Sequence, residues 1–352
     1  MTPRTARPLA LVALLAALAL GPLAFAQSIK IGVYGGYFKD SFDEFVFPRF
    51  TEETGIEVES VAEPTGEAWL VQLETAARAG QAPADVSMMA QVPLQRGMAS
   101  ELWLPLDESR LPNLEYMRPQ LLNRDADGDL VGVGAVSWYI TLVTNTDTFE
   151  TAPTSWAELW ADHPNQLGLL ALPSNSFLLE ITAATFFGGT DVLDTEEGIL
   201  EVIAKLEEVR PNVQLWYRDE GQFQQALQSG EIPMGQYYHD VTGLAAADGF
   251  PVRSTFPAEG GVLDSGSWAI SRASDKVDEA HAFIDWFMQP EIQDLVARSV
   301  GTAPTVEREH LSLSDEEFAA VSSETPPIVP RYDMYLERGE WLDQIWSERV
   351  AR

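Results

Sequence analysis

Tyr37, Phe38 and Asp40 are the first residues of this chain with the chemistry of a solute site, two aromatic rings and a carboxylate within four positions. They belong to the stretch Tyr34-Gly35-Gly36-Tyr37-Phe38-Lys39-Asp40, which follows Ser28-Ile29-Lys30-Ile31-Gly32-Val33. Apolar residues alternate with polar or small ones in that run, the period of a strand. In open α/β sheets ligands sit at the carboxyl ends of strands, so these groups stand on a ligand edge. Gln91 follows a third short strand and reaches the same edge. Ser174 and Asn175 follow the apolar run Leu167–Leu172, a second strand–polar loop–helix unit. Asp240 follows a strand over Ile232–Tyr238, and Asp264 lies inside an extended run from Val262 to Ile270.

Bond-breaking chemistry is poorly represented. The four histidines, His163, His239, His281 and His310, form no metal-binding pair at helical spacing, and the helical zinc-hydrolase motif is absent. There is no Gly-x-Ser-x-Gly elbow and no phosphate loop. With 54 acidic residues, a chance carboxylate pair carries no weight for a glycosidase. A secreted hydrolase is therefore the reading against which a binding protein is weighed, and no catalytic residue, cofactor or metal site is assigned. Asp125-Ala126-Asp127-Gly128-Asp129 resembles the start of a calcium loop, but its glycine falls too early and the closing acid is missing, so it reads as an Asx-type turn.

The elements behind these residues alternate. A helix over 41–54 follows the first strand, Ile56–Val61 is a second strand, Ala68–Ala79 a helix and Ala84–Met89 a third strand. This βαβαβ order means a parallel sheet. Leu130–Val143 is a long extended segment that leaves one lobe and enters another. Thr154-Ser155-Trp156 opens an N-capped helix, and helices are expected over 177–187, 196–209, 222–228, 277–287 and 290–298.

The first 26 residues read as a cleaved secretory leader. Arg4 and Arg7 precede the apolar run Leu9–Leu20, and Ala24 and Ala26 stand where a signal peptidase cuts. The run is too short to span a bilayer. Removing 26 residues from 352 leaves 326, more than one core usually holds, so two lobes are expected. There is no cysteine, hence no disulfide, thiolate metal site or lipid-anchored cysteine. The formal charge of −32 includes the two leader arginines. Nucleic acid and anionic membranes are therefore poor partners, and a cationic ligand would be steered favourably. The expected location is the periplasm, as a soluble protein.

Several segments carry a family resemblance: Phe50-Thr51-Glu52-Glu53-Thr54-Gly55-Ile56-Glu57-Val58, Thr154 to Trp160, Arg210-Pro211-Asn212-Val213, Pro257-Ala258-Glu259-Gly260-Gly261, Phe287 to Pro304, and Arg338-Gly339-Glu340-Trp341. In this order the chain resembles the extracellular solute-binding proteins of bacterial ABC importers, in the spermidine/putrescine-binding branch. The resemblance implies an α/β fold of two lobes, each with a parallel or mixed sheet, joined by a hinge of crossing strands near Trp138 and Asp264. It implies one lobe from residues 27–137 plus 264–303 and another from 138–263 plus 304–352. It also implies a monomer that captures a small solute and delivers it to a membrane permease–ATPase complex.

For a polyamine-like organic cation the site needs carboxylates for the ammonium ends and aromatic walls, each worth roughly 0.5–2 kcal/mol in cation–π contact. By position Tyr37 or Phe38 stands near the family's first wall, Tyr238 where it has a second-lobe tryptophan, and Trp138 beside the crossing strand. The acids depart from that pattern. Ser174 and Asn175, with Leu178 beyond, replace an acidic loop, and Asp264 and Gly266 stand where a tryptophan and an aspartate are expected. Asp264 is left to take one ammonium, with Asp40 or Asp240 for another. A rival ligand is ferric iron held by Tyr237 and Tyr238, whose hard phenolate oxygens suit it, although alternation along a strand sends only one of the two into a cleft.

Overall fold

The chain folds around one long strand. The computed structural model describes residues 27–35, 37–64, 67–218 and 220–351. The expected leader over 1–26 and the side chain of Tyr37 lie outside the described residues. Ten strands follow in chain order: β1 Ser28–Tyr34, β2 Glu57–Glu63, β3 Val86–Ala90, β4 Leu122–Arg124, β5 Leu130–Asn145, β6 Leu167–Leu170, β7 Val213–Tyr217, β8 Met234–Tyr238, β9 Val252–Thr255 and β10 Val262–Ile270. The spatial order is β2-β1-β3-β10-β5-β8-β6-β7, with β4 and β9 also paired to β5. The sheets of the two lobes are thus one ladder, continuous through β5 and β10.

The pairing matches the sequence logic at each end. β2, β1 and β3 are parallel, as the βαβαβ order requires. β6 is parallel to both β7 and β8. The connection between these halves is antiparallel: β10 pairs with β3 on one side and β5 on the other, and β5 pairs with β8. The 16 residues of β5 are almost all buried, so neither face of this strand is open to solvent.

Two cores lie along it. Ile29, Ile31, Val33, Phe42, Phe50, Val133, Trp268, Phe283 and Phe287 belong to the first. Leu142, Trp156, Leu169, Ile181, Ile203, Phe223, Leu342 and Trp346 belong to the second. The segment after Ala303 divides between them. Val306, Leu311, Leu313, Phe318 and Val321 pack into the first core, while Ile328 and the helix Tyr332–Arg349 pack into the second. The sequence reading assigned the whole of 304–352 to the second lobe. The packing instead carries the first-core half on to Val321, because Phe318 and Val321 sit on the inward face of a helix, Asp315–Val321, that the reading did not anticipate.

The helix expected over 41–54 is also different in detail. It begins at Tyr37 and passes through a π-helical turn, Phe42–Val46, before Phe47–Thr54. The wide turn lets Phe42, Val46 and Phe47 all face the core. Gly55, at φ 75°, closes the helix in the left-handed region, as a glycine at this position allows. The Asp125 side chain accepts from the backbone N–H of Asp127 and of Asp129 at 3.0 and 2.9 Å, the Asx turn expected there.

Candidate functional site

The hinge places three segments side by side on one face of the sheet. Asp264 of β10 is opposite Trp138 of β5. On the other side of β5, Ser137 and Ala303 exchange both backbone hydrogen bonds at 3.2 and 2.7 Å. Trp138 and Thr302 therefore form the neighbouring close pair of that short ladder, on the same face. Two residues further along β5, Ile140 is opposite Tyr238 at the end of β8, so Tyr238 shares this face as well. Asp264, Trp138 and Thr302 thus form one row, with Tyr238 displaced along the sheet opposite Ile140.

Asp264 is the electrostatic centre of the row. Its Oδ1 accepts from the Ser265 backbone N–H at 2.8 Å and from the Tyr332 hydroxyl at 2.7 Å. Burial pushes its carboxyl up to about 6, against the pull of these two hydrogen bonds. Above it lies the Tyr34 ring at the end of β1; a Cβ placed on Gly266 would be 3.4 Å from the Tyr34 hydroxyl. That hydroxyl is buried and has no hydrogen-bond partner among the described residues, and the same holds for the hydroxyl of Thr302. Burial and the nearby acids Glu63 and Asp264 hold the Tyr34 phenol well above its usual range.

Phe38 extends this wall. Its ring packs on Tyr34 at 5.8 Å and stacks on Phe42 at 4.9 Å, and Phe42 passes the contact to Trp268 and Phe287 in the first core. Asp40, two residues on, is exposed. Gln91 sits at the carboxyl end of β3, buried, and donates to the Ser265 and Ser267 hydroxyls at 3.1 and 2.9 Å. It braces the strand that carries Asp264.

From the second core come Ser174 and Asn175, on a single helical turn, Pro173–Ser176, after β6. Ser174 is exposed, and Asn175 is half-buried with a buried Oδ1 that has no hydrogen-bond partner among the described residues. Asp240 lies in the first turn of the helix His239–Ala247, directly after Tyr238. Its neighbour His239 bridges Ser254 and the Ala319 carbonyl at 2.8 and 2.9 Å, and burial lowers its pKa. Tyr237 is buried among Tyr217 and Phe223, and its ring also lies 5.3 Å from that of Tyr238.

Three residues of this neighbourhood were not picked out from the sequence. Tyr34 was read only as the start of the loop, Thr302 as part of a family motif, and Tyr332 was given no role. Tyr332 opens the helix Tyr332–Arg349. The next turn is fixed by Glu180, which is fully buried and accepts from the Arg331 N–H at 2.9 Å and the Tyr335 hydroxyl at 2.7 Å. Burial raises Glu180 to about 7, the two donors opposing it.

Comparison with known proteins identifies the family and the fold. Residues 46–319 match the family model described as bacterial extracellular solute-binding protein. The γ-aminobutyric acid-binding protein of Pseudomonas aeruginosa is 24% identical over 351 residues, which cover 96% of this chain and 94% of that protein. The spermidine/putrescine-binding periplasmic protein of Salmonella typhimurium is 24% identical over 332 residues, 94% of this chain and 91% of the relative. Among solved structures, an ABC transporter substrate-binding protein from Bradyrhizobium japonicum superposes with a TM-score of 0.78 at 21% identity, over 92% of this chain and 99% of the other. A spermidine/putrescine substrate-binding protein from Streptococcus pneumoniae gives 0.71 at 19% identity, over 92% and 99%. These likenesses establish the two-lobed periplasmic-binding-protein fold. The chain belongs to the bacterial extracellular solute-binding protein family.

Proposed function

We propose that the protein captures a small amine-bearing organic cation between its lobes, with the ammonium group on Asp264, and delivers it to an ABC permease–ATPase complex in the membrane. The observation that carries this reading is Asp264 itself, a carboxylate at the hinge with Trp138 opposite in register and with hydrogen bonds on one oxygen only. A primary ammonium supplies the missing counter-charge, and Trp138, Tyr238 and Phe38 supply faces on which its methylene chain and cationic end rest. Asp40, Asp240, Ser174 and Asn175 line the approaches in this reading. Tyr37 belongs to the same wall by sequence position. The leader is cut after Ala26, and the mature chain works in the periplasm as a monomer. Closure follows because a ligand touching both lobes binds the closed state more tightly than the open one.

Polyamine-type ligands come first, in line with the spermidine/putrescine-binding relatives. A specific observation favours a second class. The loop after β6 presents Ser174 and Asn175 rather than acids, which leaves a single buried hinge carboxylate for charge pairing. A ligand with a single ammonium group, such as the zwitterion γ-aminobutyric acid, fits that count, and a relative of almost equal length is named for it. A thermal-shift screen of residues 27–352 separates the two, using putrescine, spermidine, γ-aminobutyric acid, choline, sugars and ferric iron. A bound solute at about 100 times its dissociation constant adds about 2.7 kcal/mol. The reading predicts shifts with amines, and a response confined to sugars or iron rejects it.

A further inference from the structure

We propose that Tyr332 is the positioning residue of this site: its hydroxyl holds the Asp264 carboxylate in orientation and in its ionised form, so that the second oxygen is presented to the ligand. This rests on the reading that Asp264 receives an ammonium group.

The groups around Asp264 leave Tyr332 in a singular position. Its own strand offers the Ser265 N–H. From β5 comes Trp138, which does not titrate. From β1 comes Tyr34, with Glu63 opposite it on β2, and the C-terminal helix brings Tyr332, with Glu180 and Tyr335 behind it. No cation contributes to the ionisation of Asp264 among the described residues. A buried carboxylate without a cation depends on hydrogen-bond donors for its charge. Two donors are present, a backbone N–H and the Tyr332 hydroxyl, and both fall on Oδ1. The oxygen Oδ2 accepts none among the described residues. Tyr332 is thus the one donor that a substitution removes.

The helix keeps that hydroxyl in place. Glu180 accepts from Arg331 and Tyr335, the residue before Tyr332 and the one three after it. The ring of Phe177 meets Tyr332 and Tyr335 edge-on at 6.2 and 6.1 Å. Tyr332 is therefore clamped at both ends of its turn. It also links the hinge strand to the loop Pro173–Ser176, because Phe177 is the residue that closes that loop in the left-handed region, at φ 51°.

The test is the substitution Tyr332→Phe, which keeps the ring and removes only the hydroxyl. Carbon-13 carboxyl NMR, with Asp264 assigned by its absence from Asp264→Asn, reads the ionisation directly and needs no ligand. The midpoint rises by about one pH unit in the variant. Affinity for putrescine or γ-aminobutyric acid as probe then falls about fivefold more at pH 6 than at pH 8, because at pH 8 the carboxyl is ionised with or without the hydroxyl and only its orientation is lost. A packing defect would lower affinity by the same factor at every pH. In the wild-type protein carrying 3-fluorotyrosine, the Tyr332 signal follows the Asp264 titration and stops doing so in Asp264→Asn. An unmoved carboxyl midpoint, or a pH-independent loss of affinity, overturns the role of Tyr332 alone. An Asp264→Asn protein that binds the probes as the wild type does removes the ammonium reading, and with it any part for Tyr332 in recognition.

Discussion

An aspartate buried without a cation weakens the folded state once it ionises. In Asp264 the folded carboxyl titrates at about 6, against about 3.9 in an unfolded chain. The native state therefore holds a proton that the unfolded state has lost, and stability falls as pH rises through that window. Relative to Asp264→Asn, the unliganded wild type should lose roughly 2 kcal/mol between pH 4 and pH 7, measurable by urea titration at each pH. A constant difference would mean that Asp264 is solvated. A cationic ligand reverses the penalty, which is why this position suits recognition rather than structure. Asp264 and Trp138 were legible in the sequence because a family resemblance marks the crossing strands. Tyr34, Thr302 and Tyr332 were not. Tyr332 and Asp264 are 68 positions apart, and no local pattern of residue types announces a contact made only by the tertiary fold.

The C-terminal helix is the element that ties the hinge to the second core. Its first turn hangs on Glu180, a carboxyl with no exposure whose titration is lifted to about 7. The sign is the same as for Asp264: the native state keeps its proton while the unfolded chain releases it near 4.3. Glu180→Gln retains one acceptor and cannot ionise. Its stability should gain roughly 3 kcal/mol on the wild type between pH 4 and pH 8, read from thermal or denaturant unfolding. A difference that does not change with pH would place the proton elsewhere. Elements with a strong period were readable from the chain, among them β10, which spans the expected residues 262–270, and the helix Val277–Phe287. β4, β7 and β9 were missed. β9 is only Val-Arg-Ser-Thr, too short and polar to show alternation, and β7 lies at the sheet edge, mostly half-buried. The helix over 315–321 begins with a capping box formed by Ser314 and Glu317, a signal that was present in the sequence but lay in a stretch with few apolar residues.

At the scale of the molecule, two cores share one sheet, and the strands that join them carry the candidate site. β5 runs from the first core, through Val133 and Val136, to the second, through Leu142 and Val143. A group at Trp138 or Asp264 therefore sits where the two halves pivot, and a ligand bound there favours whichever arrangement surrounds it. The large negative charge of the chain attracts cations to the protein. The two-lobed fold was legible from length, alternation and resemblance together, whereas the path of the chain after Ala303 was not, because it is set by which core the last aromatics reach. The most direct test of the whole account is titration calorimetry of putrescine and γ-aminobutyric acid into the wild type and Asp264→Asn at pH 7.5. The account predicts that at least one of them binds the wild type and that the substitution weakens it about 10- to 100-fold, as expected when a charge-assisted hydrogen bond is lost. Equal affinity in the two proteins, or no binding of either amine to the wild type, would contradict it.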